Sequence, residues 1–250
     1  MDVQEYFLLN QNIIVAFSGG VDSAVLLYLA KKYAKNVIAV FVKSEFQPQF
    51  ELLDAYDICS QFGIELKVLT VDMLSNNQII SNPKDRCYYC KHTIMNCILD
   101  FAKNYDNYVI AEGTNASDDV SDRPGYKALI QLGVQSPLRL LGITKTQIRQ
   151  IARENNISVA NKPSYACLAT RIPTGTKITK EILVKTESSE NVLFNLGFTD
   201  FRIRYMDGNA LLQLSRNDFN VLFEKRETVF AALGKYYNNV YLDLRERTYE

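Results

Sequence analysis

Apolar residues fall in short blocks separated by amphipathic stretches, and their period changes along the chain. Ile13-Ile14-Val15-Ala16-Phe17 is an unbroken apolar run that stops at Ser18-Gly19-Gly20, the pattern of a strand buried on both faces of a parallel sheet. Between 22 and 32, Ala24, Leu26, Leu27, Tyr28 and Ala30 predict a helix that is apolar on most sides. Further strands are expected at 37–42, 66–71 and 108–111. Leu52, Leu53, Tyr56, Cys59 and Phe62 form a helical stripe that ends at Gly63, where a C′ glycine stops the helix. Cys87-Tyr88-Tyr89-Cys90 opens a helix that runs to Lys103. Thr144-Lys145-Thr146-Gln147 has capping-box form ahead of Ile148, Ile151 and Ala152, so a helix begins there. Strands alternating with helices predict an α/β fold built on a doubly wound parallel sheet.

Past Pro173 the pattern shifts. A helix is expected at 178–196, two strands at 201–205 and 210–214 around Asp207-Gly208-Asn209, a helix at 219–233 and a last strand at 240–244. The Asp-Gly step between alternating strands is a hairpin signal. The expected organisation is therefore a sheet domain over 1–173 and a small α+β domain over 174–250.

Composition narrows the partners. With 250 residues and 47% hydrophobic content, the chain can bury one large core, or one core plus a small appendage. Its 28 basic and 28 acidic residues cancel, which gives no overall field to recruit nucleic acid or an anionic membrane. The N-terminus has no basic segment followed by an apolar one, and no apolar run is long enough to span a bilayer, so a cytoplasmic protein is expected. Five cysteines argue against a disulfide framework and toward metal or redox use of some of them. The single histidine, His92, leaves little for a histidine-based relay or metal site.

The chemistry starts at Ser18-Gly19-Gly20-Val21-Asp22-Ser23, between a strand and a helix. Gly19 and Gly20 let backbone N–H groups converge on phosphate oxygens at a helix N-terminus, and Ser18 and Ser23 add hydroxyl donors. Asp22 repels bare phosphate, so its expected role is to hold Mg²⁺. Neither a Walker A lysine nor a Gly-x-Gly-x-x-Gly run is present. The loop resembles that of the PP-loop ATP pyrophosphatase superfamily, adenine nucleotide alpha hydrolase-like proteins whose members bind ATP and transfer AMP to a substrate oxygen with release of pyrophosphate. The resemblance implies that Phe41, Val42 and Lys43 line the adenine and that Gly113, Thr114 and Asn115, after Glu112, also face the nucleotide. Both sets lie at carboxyl ends of strands, where open α/β sheets place ligands.

Further stretches narrow the resemblance. Asn82-Pro83-Lys84-Asp85-Arg86-Cys87-Tyr88-Tyr89-Cys90-Lys91, Glu112-Gly113-Thr114-Asn115, Asp122-Arg123-Pro124-Gly125, Ser136-Pro137-Leu138 and Lys162-Pro163-Ser164-Tyr165-Ala166-Cys167-Leu168 occur in order and together look like the LarE family of ATP-dependent sulfur transferases. That resemblance covers nearly all of 10–205. It implies adenylylation of a carboxylate of pyridinium-3,5-biscarboxylic acid mononucleotide and its conversion to a thiocarboxylate for the nickel-pincer nucleotide. Two sulfur sources are known in the family. In one, the cysteine matching Cys167 surrenders its own sulfur; in the other, three cysteines hold a [4Fe-4S] cluster that carries a transferable sulfide. Cys87, Cys90 and Cys167 favour the cluster, since three thiolates leave one iron open and sacrifice alone leaves Cys87 and Cys90 without a role. Cys59 and Cys97 fall on apolar stripes and read as packing residues.

The same resemblance assigns Glu190, Arg202 and Arg204 to the substrate phosphate, for which paired arginines suit. After the hairpin the chain departs from the family, with Asn209-Ala210-Leu211-Leu212-Gln213 in place of an Ala-Arg-Ile-Glu pattern. A tRNA thiolase of the same superfamily is the alternative, but a basic RNA-binding face is missing from this neutral chain. The expected partners are a small-molecule nucleotide and further copies of the chain in a homo-oligomer, without nucleic acid or membrane.

Overall fold

In the computed structural model, described over residues 1–121 and 123–247, the elements in chain order are α1 (Val3–Leu9), β1 (Asn12–Ala16), α2 (Val21–Tyr33), β2 (Asn36–Lys43), α3 (Gln49–Phe62), β3 (Leu66–Thr70), α4 (Asn77–Ile80), α5 (Arg86–Ala102), β4 (Val109–Ala111), α6 (Pro124–Gln131), α7 (Pro137–Leu140) and α8 (Lys145–Glu154). A 3-10 turn (Leu168–Arg171), α9 (Lys180–Asn195), β5 (Phe201–Met206), β6 (Asn209–Leu214), α10 (Arg216–Leu233) and β7 (Val240–Leu242) follow. Asp122, the first residue of one family stretch, lies outside the described residues. The chain divides into one unit of Met1–Met73 with Asp85–Lys162 and a second of Leu74–Lys84 with Pro163–Glu250. The division thus falls ahead of Pro173.

In the first unit, β3-β2-β1-β4 form a wholly parallel sheet. Side chains alternate across it. Ile13, Val15, Ala39, Phe41 and Ala111 meet α1, α2, α3 and α8 on one face, while Ile14, Val40, Val42 and Ile110 meet α5 and α6 on the other. That is the doubly wound arrangement. Ile13, Ile14 and Val15 are wholly buried, and burial of each stabilises the fold by about 1.5–3 kcal/mol. The punctuation follows the sequence. Gly63 caps α3 in the left-handed conformation (φ 62°), and Thr144 and Gln147 close a capping box on α8.

The second unit has the sheet β5-β6-β7. β5 and β6 pair antiparallel through Asp207 (φ 46°) and Gly208 (φ 79°), a two-residue turn with both φ positive. β7 joins β6 in parallel. Leu193 of α9 and Leu222, Val229 and Leu233 of α10 pack in the core with Phe201, Ile203 and Leu212. The segment around α4 belongs here because its backbone bonds to the later chain: the N–H groups of Ile178 and Gly175 donate to Ile80 O and Asn82 O, both at 2.8 Å. Buried Asn82 (φ 53°) also donates Nδ2 to Ile172 O and Pro173 O. Among the described residues no helix is long and apolar enough to cross a membrane.

Candidate active site

The phosphate loop occupies the carboxyl end of β1. Gly19 adopts φ +76°, and a Cβ there would stand 2.8 Å from Glu51 O of α3, so only glycine lets the loop lie so close to α3. Gly20 is the N-cap of α2 and brings no side-chain oxygen to it. Ser23, in the first turn, accepts from Ser18 N at 3.3 Å, contacts Ser18 Oγ at 3.1 Å and donates to Gly20 O at 3.1 Å. The hydroxyls therefore brace the loop, and the N-terminal N–H groups of a 13-residue helix lie beneath it, a ready site for an anion.

β4 runs beside β1, so its carboxyl end arrives at the same place. A Cβ on Gly113 would stand 2.9 Å from Ser23 N and 3.2 Å from Asp22 C, so the two loops touch backbone to backbone. Buried Glu112 pins this crossing. Its carboxylate accepts from Thr114 N (3.0 Å), Thr114 Oγ1 (2.9 Å) and Ser136 Oγ (2.6 Å). Asn115 donates Nδ2 to Asp22 Oδ1 at 3.4 Å, and its N–H and carbonyl are held by Asp118 and Arg139.

Asp22 is part of an ion pair that sequence reasoning missed. Lys145 Nζ, at the start of α8, lies 2.8 and 2.6 Å from its two carboxylate oxygens. The partners stand 123 positions apart, and the only sequence signal was a lysine at the first position of a capped helix. One carboxylate at a phosphate loop suits Mg²⁺, which keeps most of its waters and takes one or two protein carboxylates; Asp22 would hold it.

The end of β2 offers backbone rather than side chains. Phe41 and Val42 point into the two cores, and Lys43 Nζ donates to Gln47 O. β1 pairs with β2 only as far as Ala16 and Val40, where Phe17 N donates to Val40 O at 2.8 Å. By strand alternation the Val42 peptide groups face the side from which β1 has turned into the phosphate loop. An N–H beside a C=O in that position can read the edge of a base.

Cys87 and Cys90 stand one turn apart at the start of α5, Cys87 exposed and Cys90 half-buried. Gly125 of α6 packs beside the Cys87 carbonyl, where a Cβ would sit at an ordinary contact distance of 3.5 Å. Cys167 belongs to the second unit, half-buried at the N-cap of the 3-10 turn, where Thr170 Oγ1 donates to its carbonyl at 2.7 Å. Among the described residues no three Cys, His, Asp or Glu side chains are gathered as a metal site. Cys87 and Cys90 by themselves fit two ligand positions of an iron–sulfur cluster. Burial pushes the Cys59 thiol up to about 12, and burial followed by Asp100 raises Cys97. Both are inert packing thiols.

In the second unit Glu190 is 1% exposed, and its first partner is Arg171, with Nε at 2.7 Å and Nη2 at 3.2 Å. It also accepts from Ile203 N at 3.2 Å and from the Tyr165 hydroxyl. Arg202 is buried as well. It donates to Phe201 O and Ser164 O and stacks on Tyr165, whose ring centroid is 5.0 Å away. Burial, reinforced by the like charges of Arg171 and Arg247, pushes its pKa down to about 10. Arg204 binds Gln213 Oε1 and Thr170 O. For Arg171 burial is the largest effect and works against the charge, yet Glu190, Tyr165 and Cys167 together outweigh it and the pKa is raised. The sequence pointed to Glu190, Arg202 and Arg204 but not to Arg171, which binds Glu190 and reaches Ala166 O and Cys167 O through Nη1.

A family model described as queuosine biosynthesis protein QueC matches residues 12–85. The pyridinium-3,5-bisthiocarboxylic acid mononucleotide synthase of Lactiplantibacillus plantarum is 31% identical over 239 residues, 94% of this chain and 86% of that protein. An uncharacterized protein of Methanocaldococcus jannaschii is 30% identical over 220 residues, 88% of this chain and 84% of its own length. Over 76 residues, 30% of this chain and 34% of the relative, the 7-cyano-7-deazaguanine synthase of Clostridium botulinum is 42% identical.

Proposed function

The chain belongs to the LarE family of ATP-dependent sulfurtransferases, and from that premise we propose that it converts a carboxylate of pyridinium-3,5-biscarboxylic acid mononucleotide into a thiocarboxylate. The observation that carries this reading is the likeness to the Lactiplantibacillus plantarum synthase along 94% of the chain. The alternative of a tRNA thiolase has no comparable support.

Each residue has a task in this reading. The N–H groups of Gly19, Gly20 and the first turn of α2, with the hydroxyls of Ser18 and Ser23, bind the β- and γ-phosphates as the leaving pyrophosphate. Val42 and its neighbours Phe41 and Lys43 frame the adenine with backbone, while Gly113, Thr114 and Asn115 close the loop's far side. Asp22 would hold Mg²⁺, whose charge offsets that of the phosphates, and Lys145 steadies Asp22. A substrate carboxylate oxygen attacks the α-phosphorus, the α–β P–O bond breaks and pyrophosphate leaves. A sulfur nucleophile then adds to the acyl carbon and AMP leaves with its oxygen. Arg202 and Arg204 of the second unit bind the substrate phosphate, and Glu190 orders that site through Arg171 and Tyr165.

For the sulfur, Cys87, Cys90 and Cys167 would hold a [4Fe-4S] cluster, which supplies a sulfide when bound. Favouring it are an accessible thiol pair one turn apart and a third thiol that is half-buried. A second reading, donation by Cys167 itself, is favoured by the setting of that residue: the positive charge of Arg171 acts on it, and it shares a unit with the arginines proposed for the substrate. Anaerobic incubation with ATP, Mg²⁺, sulfide and the biscarboxylated mononucleotide tests the whole. The expected products are AMP, pyrophosphate and a thiocarboxylate, over many turnovers with the mass at Cys167 unchanged. ADP with orthophosphate would refute the activity, and dehydroalanine at Cys167 would refute the cluster.

A further inference from the structure

Two of the cations on α8, Lys145 and Arg149, stand one turn apart and both serve the phosphate loop. Lys145 reaches Asp22 directly. Arg149 donates Nη1 to Ala160 O at 2.7 Å and Nη2 to Lys162 O at 3.2 Å, which fixes the backbone at Lys162. The Lys162 side chain then lies along α3. Its ammonium pairs with Asp54 and stands 4.5 Å from the ring centroid of Phe50, and those two residues are one turn apart on the same helix face.

α3 is the element on which Gly19 rests. A Cβ at Gly19 would meet Glu51 O at 2.8 Å, Ala55 N at 3.5 Å and the Asp54 Cβ at 3.6 Å. A continuous set of contacts therefore runs from α8 through Lys162 and α3 to the underside of the phosphate loop. At its N-terminus α3 starts from Pro48, which has no side-chain oxygen with which to cap it. Lys162 is also held at a cost. Burial lowers its pKa more than the Glu51 carboxylate restores it, although a lysine stem is long enough to reach open water.

We infer that Lys162 is a positioning residue of the ATP site: by clamping α3 at Phe50 and Asp54, it holds Gly19 in the left-handed conformation and at the height phosphate binding requires. The inference rests on reading the Ser18–Ser23 loop as the ATP phosphate site. It assigns Lys162 no contact with the nucleotide.

Lys162→Met keeps the apolar stem and removes the charge. Titration calorimetry with α,β-methylene-ATP should show Kd raised about tenfold, about 1.4 kcal/mol, with Asp54→Asn reproducing the loss. Lys162→Arg should return Kd to within about twofold of wild type, because the charge is restored and can still meet a carboxylate. Thermal midpoints are read on the same samples. A tie that only stabilises the fold would lower the midpoint of Lys162→Met and leave its Kd at the wild-type value, and that result overturns the inference. So does an arginine variant as weak as the methionine one. Should Lys162→Met fail to fold, Asp54→Asn decides in the same way. Products of the wild type separate the two levels of the argument. AMP and pyrophosphate from wild type with an unchanged Kd in the variants sinks only the role of Lys162, whereas ADP and orthophosphate sinks the reading of the site.

Discussion

Glu190 offers the sharpest test of how the second unit is held together. Its carboxylate accepts from Arg171 Nε and Nη2, from Ile203 N and from the Tyr165 hydroxyl. The ion-pair side chains of Arg171 and Glu190 are 0% and 2% exposed. Glu190→Ala leaves the Arg171 guanidinium buried without its carboxylate and close to a second buried cation, Arg202. Breaking a buried pair from one side costs about 3–5 kcal/mol, and the orphaned Ile203 N–H adds about 1–3 kcal/mol that overlaps with it. Glu190→Gln keeps the shape and one acceptor, so its loss should sit near the lower end. The assay is denaturant unfolding followed by circular dichroism, with hydrogen exchange of the β5 and β6 amides to localise the change. Those amides should lose protection while β1 and β2 keep theirs. Arg171→Met combined with Glu190→Leu should recover part of the loss, because the Arg171 charge is then no longer buried without its partner. A Glu190→Gln loss below about 1 kcal/mol, the range of an exposed pair, would refute the reasoning, since Arg171 would then have been neutralised elsewhere.

Other consequences are open to measurement. Lys145→Met should slow AMP formation by on the order of 10²-fold, the usual result of removing one preorganised donor, and a wild-type rate would remove Lys145 from the site. Asp22→Asn should abolish pyrophosphate release at any Mg²⁺ concentration, whereas rescue by excess metal would point to a weaker, indirect role. Gly113→Ala drives a methyl into the Ser23 and Asp22 backbone and should cost about 1–3 kcal/mol of stability, with weaker ATP binding; an unchanged melting point would mean that the β4 loop shifts freely. Cys87→Ala should end turnover if the cluster supplies sulfur, yet leave one turnover per chain if Cys167 does.

Much of the first unit was legible because its signals are local. The apolar run before Ser18, the glycine after Phe62 and the Thr144–Gln147 box each act within a few residues, and β1, α3 and α8 lie where they indicated. The hairpin at Asp207-Gly208 was equally local. α1 gives only a faint signal although Asp2 and Glu5 close a capping box on it, because its stripe is only two turns long. Long-range partners were not readable. Nothing near Asp22 announces Lys145, and nothing in the alternation of Arg202 and Arg204 distinguishes a solvated strand face from one roofed by Tyr165. The parallel pairing of β7 with β6 likewise depends on a connection through α10 that the apolar pattern leaves open.

The chain passes between its two units three times, at Met73, Lys84 and Lys162. No single cut can therefore release either unit whole. A fragment ending at Lys162 would carry 74–84 away from Gly175 and Ile178, whose N–H groups donate to the Asn82 and Ile80 carbonyls. It would expose Ile79, which is fully buried in the intact chain. The second unit expressed alone would miss the same piece. Simple end-to-end fusion of either unit to another protein would therefore leave 74–84 on the wrong side of the join.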